Sequence, residues 1–166
     1  QFNAALAGRG GTAAGHAGMS RRAVQIERVF HWPVRVYWED TDAGGIVFYA
    51  NYLKFFERAR TEWLRSLGLG QHRLREECGG MFVVVETHVK YHRPARLDDE
   101  LVVTAHLSEM GPASMTILQQ VLSKNEQTPA SPTELLCTGS IRIGWVDAAT
   151  LKPAKIPNNI LETLKQ

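Results

Sequence analysis

The chain has 166 residues, with 19 lysines and arginines, 17 aspartates and glutamates, and a formal net charge of +2 at pH 7. This length suits one domain with a sizeable core, and so small a charge gives no reason to expect a nucleic-acid partner. No apolar run approaches the roughly 20 residues of a membrane-spanning helix, so no stable membrane insertion is expected. Cys78 and Cys137 form neither a disulfide framework nor a CxxC pair, which favours a reducing, cytoplasmic location.

Residues 1–20 differ in composition from the rest of the chain. They hold five glycines and six alanines but no acidic residue, and they offer little apolar surface to bury. The sequence therefore predicts a flexible leader over 1–20, followed by a single domain over 21–166. An expression remnant, with Met19 as the native start, is one interpretation of the leader.

A first strand and a long helix are predicted next. Residues 34–38 alternate weakly between apolar and polar side chains, which is typical of a strand. Over residues 52–67, apolar side chains recur every three or four positions, as on one face of a helix. Asn51 is the predicted N-cap of this helix and Gly68 its predicted end. The apolar stripe comprises Tyr52, Phe55, Phe56, Ala59, Trp63 and Leu67.

The second half of the chain is predicted to be rich in strands. Four segments show alternation or apolar β-branched runs, and turn residues separate them. These segments are residues 81–94, 100–110, 114–124 and 133–147. The order of strand, helix and four strands favours an α+β fold in which a five-stranded antiparallel sheet wraps around one long central helix.

The segment EDTDAGG, residues 39–45, places three carboxylates and two glycines shortly before the long helix. A calcium loop starting at Asp40 lacks its acidic twelfth ligand, because that position is Asn51. A phosphate cradle lacks the GxxxxGK[ST] pattern, and the acids would repel phosphate. A carboxylate beside a helix N-terminus could act on a carbon whose oxygen the helix N–H groups hold. In the alternative, structural interpretation, the acids merely cap the turn and favour the helix dipole.

Resemblance to a known family favours the third interpretation. The run VRVYWEDTDAGGIVFYANYLKFFERARTEWL, preceded by His31-Trp32-Pro33, resembles the signature of the hotdog-fold acyl-CoA thioesterases. It is most similar to the Tol-Pal-associated branch of the 4-hydroxybenzoyl-CoA thioesterase family. The block YHRPARLDD at 91–99 resembles a second family motif, so the likeness covers roughly residues 30–160. It implies the hotdog fold, which agrees with the order of elements predicted above.

The resemblance also implies a site and an activity. Asp42 would be the nucleophile or general base, and the backbone N–H of Tyr49 would hold the thioester oxygen at the helix start. Many members of the closest branch carry histidine where this chain has Tyr49, a departure that a backbone donor tolerates. The implied reaction is hydrolysis of acyl-CoA thioesters, or of acyl carrier protein thioesters, with no cofactor beyond the CoA of the substrate. Family members pair into dimers, often doubled to tetramers, with the pocket between subunits.

Four cations are candidates for binding the phosphates of CoA. Lys152 matches a basic position used for that purpose in a related thioesterase branch, and Lys155, Arg93 and Arg96 are further candidates. The alternative for each is an ordinary solvated surface cation. Glu57, on the long helix, is either a catalytic assistant at a dimer interface or a member of a helix-surface pair.

Two other classes of function stay open. A hotdog hydratase or dehydratase would need a histidine near the helix start, and no histidine occurs between residues 32 and 71. In a non-catalytic acyl-CoA or acyl-carrier binding module, Asp42 would act only as a cap. The sequence has no HExxH, no Cys–His ligand pattern and no GxSxG, which disfavours metal, serine and cysteine chemistry.

Overall fold

The computed structural model of the chain describes residues 28–124 and 132–166. The leader predicted over 1–20, and the start of the domain predicted at residue 21, lie outside the described residues. The elements are β1 (Phe30–Arg35), α1 (Asn51–Ser66), α2 (Gln71–Cys78), β2 (Gly80–Tyr91), β3 (Glu100–Met110), β4 (Ser114–Lys124), β5 (Pro132–Asp147) and α3 (Asn158–Leu164).

The strands form one five-stranded sheet in the order β1-β3-β4-β5-β2, and every neighbouring pair is antiparallel. Helix α1 packs on one face of this sheet through the apolar stripe predicted from the sequence. Phe55, Phe56 and Ala59 are fully buried there, and each phenylalanine contributes about 1.5–3 kcal/mol through burial. The sheet positions beneath the helix include Val103, Ile117 and Ile141. The predicted α+β fold is therefore confirmed.

A close approach of helix and sheet depends on one glycine. A Cβ at Gly139 of β5 would lie 2.8 Å from Cε2 of Phe56, which is closer than packed carbons tolerate. The absence of a side chain at residue 139 lets the Phe56 ring lie directly on β5. A fully buried aromatic ring of the helix stripe is thus accommodated by a glycine of the sheet.

The first strand lies earlier in the chain than predicted. β1 ends at Arg35, and residues 38–40 form a short 3-10 turn instead of continuing the strand. Local hydrogen bonds explain this difference. The Asp40 carboxylate accepts the Tyr37 N–H at 2.9 Å, and the Tyr37 carbonyl accepts the Asp40 N–H at 3.0 Å. An aspartate that bonds nearby backbone groups favours a turn over a strand.

The predicted N-cap of α1 is wrong, and the predicted end of the helix is confirmed. Asn51 was predicted as the N-cap but is the first helical residue, and Ala50 occupies the cap position. The Asn51 side chain instead donates to the Asp40 carbonyl at 2.9 Å, which ties α1 to the preceding turn. Gly68 ends the helix as predicted, with a left-handed φ of +76° that glycine adopts without strain.

Helix α2 was not predicted, and Cys78 is its last residue. Within α2, Leu74 is the one buried residue, so no apolar periodicity marks the helix in the sequence. The exposed side of α2 includes an Arg73–Glu77 ion pair of 2.8 Å at i, i+4 spacing.

A polar cluster lies inside the core between α1 and the sheet. We call Arg60, Gln119 and Thr104 the core polar cluster. The guanidinium of Arg60 donates to Oε1 of Gln119 at 2.8 Å, and Nε2 of Gln119 donates to the carbonyls of Phe56 and Thr104, each at 3.1 Å. Burial lowers the pKa of Arg60 to about 10. Among the described residues, no buried side-chain nitrogen or oxygen lacks a partner, so this cluster is closed.

Strand β2 forms one edge of the sheet. It is twelve residues long, and its register against β5 shifts between Val84 and Glu86. Val84 and Val85 are 52% and 56% exposed, so the edge carries apolar side chains in solvent. A long edge strand of this kind leaves backbone N–H and C=O groups available to another strand.

Candidate active site

The acidic segment folds into a tight turn. The Asp42 N–H donates to the Ile46 carbonyl at 2.9 Å, and the Gly45 N–H donates to the Asp42 carbonyl at 3.0 Å. Gly45 takes a φ of +73°, a left-handed conformation that would strain any residue with a Cβ. A bridge between Thr41 and Val47 closes the base of the turn. The backbone of the turn therefore favours glycine at position 45.

One oxygen of the Asp42 carboxylate is held and the other is not. The Gly44 N–H donates to Oδ1 of Asp42 at 2.7 Å, which fixes the direction of the side chain. Asp42 is exposed, and within the described residues its carboxylate makes no other hydrogen bond. A Cβ at Gly44 would lie 3.1 Å from Oδ1, tighter than most packed contacts. The turn thus presents a fixed carboxylate with one free oxygen to solvent.

The start of α1 offers backbone donors. The Asn51 N–H donates to the Phe48 carbonyl at 2.8 Å, and the Phe48 N–H donates to the Asp40 carbonyl at 2.9 Å. Between them, the N–H groups of Tyr49 and Ala50 have no acceptor within the part of the chain that the structure describes. They lie at the positive end of the helix dipole. This pair of free donors can hold an oxygen that gains negative charge.

The segment before α1 that carries the free N–H groups of Tyr49 and Ala50 is tied to the turn that follows β2. The Val47 N–H donates to the Ala95 carbonyl at 2.9 Å, and the Ala95 N–H donates to the Tyr52 hydroxyl at 3.0 Å. The hydroxyl of Tyr91, the last residue of β2, donates to the Tyr49 carbonyl at 3.0 Å. Tyr91 has no role predicted from the sequence beyond its place in the second family block. No local pattern identifies this contact, because the two residues are 42 positions apart.

Two of the four predicted cations lie on the same side of the molecule as Asp42. Arg96 forms a bridge with Ile46, which places it beside the turn, and its N–H donates to the Asp99 carboxylate at 2.8 Å. Arg93 lies two residues after the end of β2 and forms an ion pair of 2.5 Å with Glu134. Both arginines are exposed.

The two predicted lysines lie at the other end of β2. The Lys152 carbonyl accepts the Asp147 N–H at 3.0 Å, and Asp147 pairs with Gly80 at the beginning of β2. Lys155 lies in the same stretch, since the neighbouring Ala154 N–H donates to Trp145 near the end of β5. Tyr91 is eleven residues farther along β2, about 36 Å away at ~3.3 Å per residue. A single chain therefore does not bring these lysines to Asp42.

The other candidate nucleophiles and metal-binding side chains are less suited to catalysis than Asp42. Burial raises the pKa of the Cys137 thiol to about 12, so it stays protonated near neutral pH. Glu57 is exposed and accepts a hydrogen bond of 2.8 Å from the Thr61 hydroxyl, which matches the helix-surface interpretation. Among residues 28–124 and 132–166, no group of three or more His, Cys, Asp or Glu side chains could hold a metal ion. In the same ranges, no helix is both long and apolar enough to cross a membrane.

A separate groove of about 550 Å³ lies on the sheet away from Asp42. Its lining is mostly polar and includes Glu86, His88, Ser114 and Arg142. None of the residues of the acidic turn or of the α1 start line it. We place the candidate site at the α1 start, because the exposed Asp42 carboxylate and the free N–H groups of Tyr49 and Ala50 occur together in that segment.

Comparison with known proteins agrees with this placement. The sequence model of the thioesterase-like superfamily matches residues 36–164. The acyl-CoA thioester hydrolase YbgC of Escherichia coli O6:H1 is 41% identical over 138 residues, which cover 83% of this chain and 97% of that protein. The structure of a probable thioesterase from Bartonella henselae has 30% identity and a TM-score of 0.68, and the match covers 78% of this chain and all of that one.

A 4-hydroxybenzoyl-CoA thioesterase solved with 4-hydroxybenzoyl-CoA is similar in fold, with a TM-score of 0.74 over 82% of this chain and 99% of that one. Its identity of 20% supports the fold alone. The family and fold predicted from the acidic motif are confirmed, while the Tol-Pal branch stays a prediction. The chain belongs to the thioesterase-like superfamily and adopts its hotdog fold.

Proposed function

We propose that this protein hydrolyses acyl-CoA thioesters to a free acid and CoA. The observation that carries the proposal is the exposed Asp42 carboxylate, whose direction the Gly44 N–H fixes. It lies in the turn that leads to two N–H groups at the start of α1 that have no acceptor among residues 28–124 and 132–166. A nucleophile or base next to an oxyanion site is the minimum that acyl transfer needs. These two features are sufficient for a thioester, because the thiolate leaving group departs without an acid to protonate it.

In the proposed reaction, the thioester oxygen accepts hydrogen bonds from the N–H groups of Tyr49 and Ala50. The free oxygen of Asp42 either attacks the carbonyl carbon or removes a proton from an attacking water. Direct attack breaks the carbon–sulfur bond, releases CoA thiolate and leaves a mixed anhydride, which water then hydrolyses. Base catalysis leads to the same products without the anhydride. Oxygen-18 from labelled water appears in Asp42 after a single turnover only by the first route.

The tyrosine at position 49 is compatible with this chemistry. The proposed donor is the backbone N–H, which every residue except proline supplies. The Tyr49 ring is 63% exposed and packs against Phe48, with 4.7 Å between ring centroids. We therefore expect Tyr49→His to keep most of the activity, since the substitution leaves the backbone donor in place.

We further propose that the functional unit is a homodimer, or a tetramer of two dimers, joined through β2. The exposed valines and free edge of β2 favour pairing with a second copy. A two-fold axis brings the same strand from each copy together in antiparallel orientation and gives a continuous ten-stranded sheet. The beginning of one β2 then lies beside the end of the other.

This dimer would explain why the predicted cations are divided. Antiparallel pairing of β2 would bring Lys152 of the partner subunit and Lys155 of the partner subunit toward Asp42, where Arg93 and Arg96 already lie on the same chain. Four cations would then surround one pocket between subunits, and they could meet the phosphates of CoA. The phosphopantetheine of an acyl carrier protein carries the same thioester and is the second proposed substrate.

The direct test of activity is thiol release from a panel of CoA thioesters with short, long and aromatic acyl groups. We expect turnover with at least one member and a rate that depends on the acyl group. The same acyl groups on acyl carrier protein would show which carrier is preferred. Absence of turnover on every CoA and carrier-protein thioester, from folded protein, would contradict the proposal.

The dimer has its own test in Val84→Lys, which places a charge on the exposed edge of β2. We expect sedimentation equilibrium to show a dimer or tetramer for the wild type and dissociation toward monomer in the variant, with lower activity. Val29→Lys is the matched control, because Val29 is 43% exposed and lies before β1, away from β2. A monomeric wild type with full activity would contradict the two-subunit pocket.

The proposed location is the cytoplasm. Cys78 and Cys137 are both free thiols, as a reducing compartment allows. Acyl-CoA and acyl carrier protein thioesters are the proposed substrates. The resemblance to the Tol-Pal-associated branch is the basis for proposing a role in lipid metabolism linked to the Tol-Pal envelope system.

A further inference from the structure

The hydroxyl of Tyr91 contacts the backbone of the segment before α1 that carries the free N–H groups. It donates to the Tyr49 carbonyl at 3.0 Å, across a gap of 42 residues in the sequence. The Tyr91 ring meets the rings of Tyr49 and Tyr52 edge to face, with centroids 6.3 and 5.5 Å apart. Burial raises the pKa of the Tyr91 phenol, so it remains a donor at neutral pH.

The carbonyl that Tyr91 holds belongs to the same peptide group as the Ala50 N–H. A peptide group is planar and trans, so its C=O and N–H point in opposite directions. A donor fixed to the Tyr49 oxygen therefore fixes the direction of the Ala50 N–H. A hydrogen bond to the oxygen also polarises the group and makes its N–H a somewhat stronger donor.

We propose that Tyr91 is a positioning residue for the oxyanion site, where its hydroxyl holds the Tyr49–Ala50 peptide so that the Ala50 N–H faces the thioester oxygen. This inference rests on the proposed hydrolase function and assigns a role to a residue outside the acidic turn and α1. Tyr91 does not touch the reacting atoms. It acts through the peptide that does.

Other contacts keep the segment in place, so the role of Tyr91 is separable from folding. The Val47 N–H is bonded to Ala95, and the Phe48 N–H and the Asn51 side chain are both bonded to the Asp40 carbonyl. These bonds anchor the residues on both sides of the Tyr49–Ala50 peptide. Loss of the Tyr91 hydroxyl alone leaves the ring packing and the anchors, but it frees the peptide to rotate.

The test is Tyr91→Phe, which removes one oxygen and keeps the ring. We expect kcat for the best acyl-CoA substrate to fall about tenfold, less than the 10²–10³-fold that follows loss of an oxyanion donor itself. We expect KM to stay within about twofold and the thermal midpoint to stay unchanged, because the ground-state contacts remain. Tyr37→Phe is the control, since it removes the same atom from a ring that is 62% exposed.

Binding gives a second readout that a packing role would not reproduce. A CoA thioether without the carbonyl oxygen should bind wild type and Tyr91→Phe equally, because the oxyanion site has nothing to hold. A kcat within twofold of the wild type would overturn the inference. So would a joint change in kcat, KM and thermal midpoint, or failure of the variant to fold, since either would show a packing role.

Failure of this inference is distinguishable from failure of the proposed function. Asp42→Asn is measured in parallel on the same substrate. If the wild type turns over, Asp42→Asn does not, and Tyr91→Phe matches the wild type, then the positioning role alone is wrong. If the wild type shows no turnover on any thioester, both the proposed function and the role of Tyr91 are overturned.

Discussion

Helix α1 meets polar groups in two regions of opposite character. At its middle, the core polar cluster of Arg60, Gln119 and Thr104 is buried, and its buried side-chain atoms all have partners. At its beginning, Asp42 is exposed with one free oxygen, and the N–H groups of Tyr49 and Ala50 have no acceptor among the described residues.

The difference separates polar groups that serve the fold from polar groups that serve a ligand. A buried polar group without a partner costs about 1–3 kcal/mol, so the core polar cluster has to be complete within the chain. At the surface, water can satisfy a free N–H until a substrate replaces it. We call the acidic turn with the start of α1 the open region, and the core polar cluster the closed region. The open region has hydrogen-bonding groups available to a substrate, and the closed region has none.

The largest effect on kcat is expected from a substitution that changes the open region and leaves the fold intact. Asp42→Asn keeps an oxygen for the Gly44 N–H but removes the nucleophile or base. We expect kcat to fall about 10²–10⁴-fold, the range for a lost acid–base group, with no change in thermal midpoint. Thiol-release kinetics and calorimetry on the same preparation check this. A variant with more than a tenth of wild-type kcat would contradict a catalytic Asp42.

The closed region should respond in the opposite way. Gln119→Leu removes the acceptor of Arg60 and the donor to the Phe56 and Thr104 carbonyls. We expect it to lower the free energy of unfolding by about 2–4 kcal/mol, because a charge and two carbonyls lose their partner in the core. Denaturant titration measures this loss. Gln120→Leu on the solvent side of β4 is the matched control and should lie within about 0.5 kcal/mol of the wild type.

For Gln119→Leu, the informative result is a lower free energy of unfolding with an unchanged kcat. At a temperature where the variant is fully folded, its kcat should stay within about threefold of the wild type. A collapse of kcat in the folded variant would mean that the core polar cluster takes part in catalysis, and the two regions would not be separate in function.

A smaller effect is expected from Gly44→Ala. The new Cβ would lie 3.1 Å from Oδ1 of Asp42, so the carboxylate has to shift by a few tenths of an ångström. We expect kcat to fall about tenfold, since displacement of a reacting group by 1 Å can cost 10²-fold. Gly70→Ala serves as the control, because nothing lies within 4 Å of its added Cβ. Equal kinetics for both variants would show that the direction of Asp42 is unimportant.

The smallest effect concerns the cations at the far end of β2. Lys152→Ala should raise KM for acyl-CoA about threefold at low salt, and the difference should fade near 0.5 M salt as charges are screened. Lys165→Ala removes the same charge from the end of α3, where Lys165 pairs with Glu162, and should leave KM unchanged. A salt-independent KM equal to the wild-type value would exclude Lys152 from CoA binding.

The sequence predicted the tight glycine turn of the open region, but not the contacts that hold this region in place. The turn follows from local sequence, since residues a few positions apart determine it, whereas the catalytic role of Asp42 comes from the family resemblance and stays a prediction. The Asn51 cap was wrong because its amide found a better acceptor in the Asp40 carbonyl, which only the folded turn presents. Tyr91 was missed because its partner is distant in the chain.

Long-range placement limited the other predictions as well. The five-stranded sheet and its central helix follow from periodicity, whereas the register that sets Lys152 near the beginning of β2, at the opposite end of the strand from Tyr91, does not. The core polar cluster was equally invisible, because Arg60 and Gln119 are 59 residues apart and both look like ordinary surface residues in sequence. Contacts between distant residues need the fold before they can be recognised.

The central claim is that the free amides at the beginning of α1 receive the thioester oxygen. The most direct measurement is the ¹⁵N–¹H spectrum of Asp42→Asn, titrated with the best acyl-CoA, since this variant holds the thioester without consuming it. We expect the Tyr49 and Ala50 amide protons to move downfield on binding, while the Gln119 side-chain amide stays unchanged. Unmoved Tyr49 and Ala50 signals, or shifts confined to the groove around Arg142, would contradict the account.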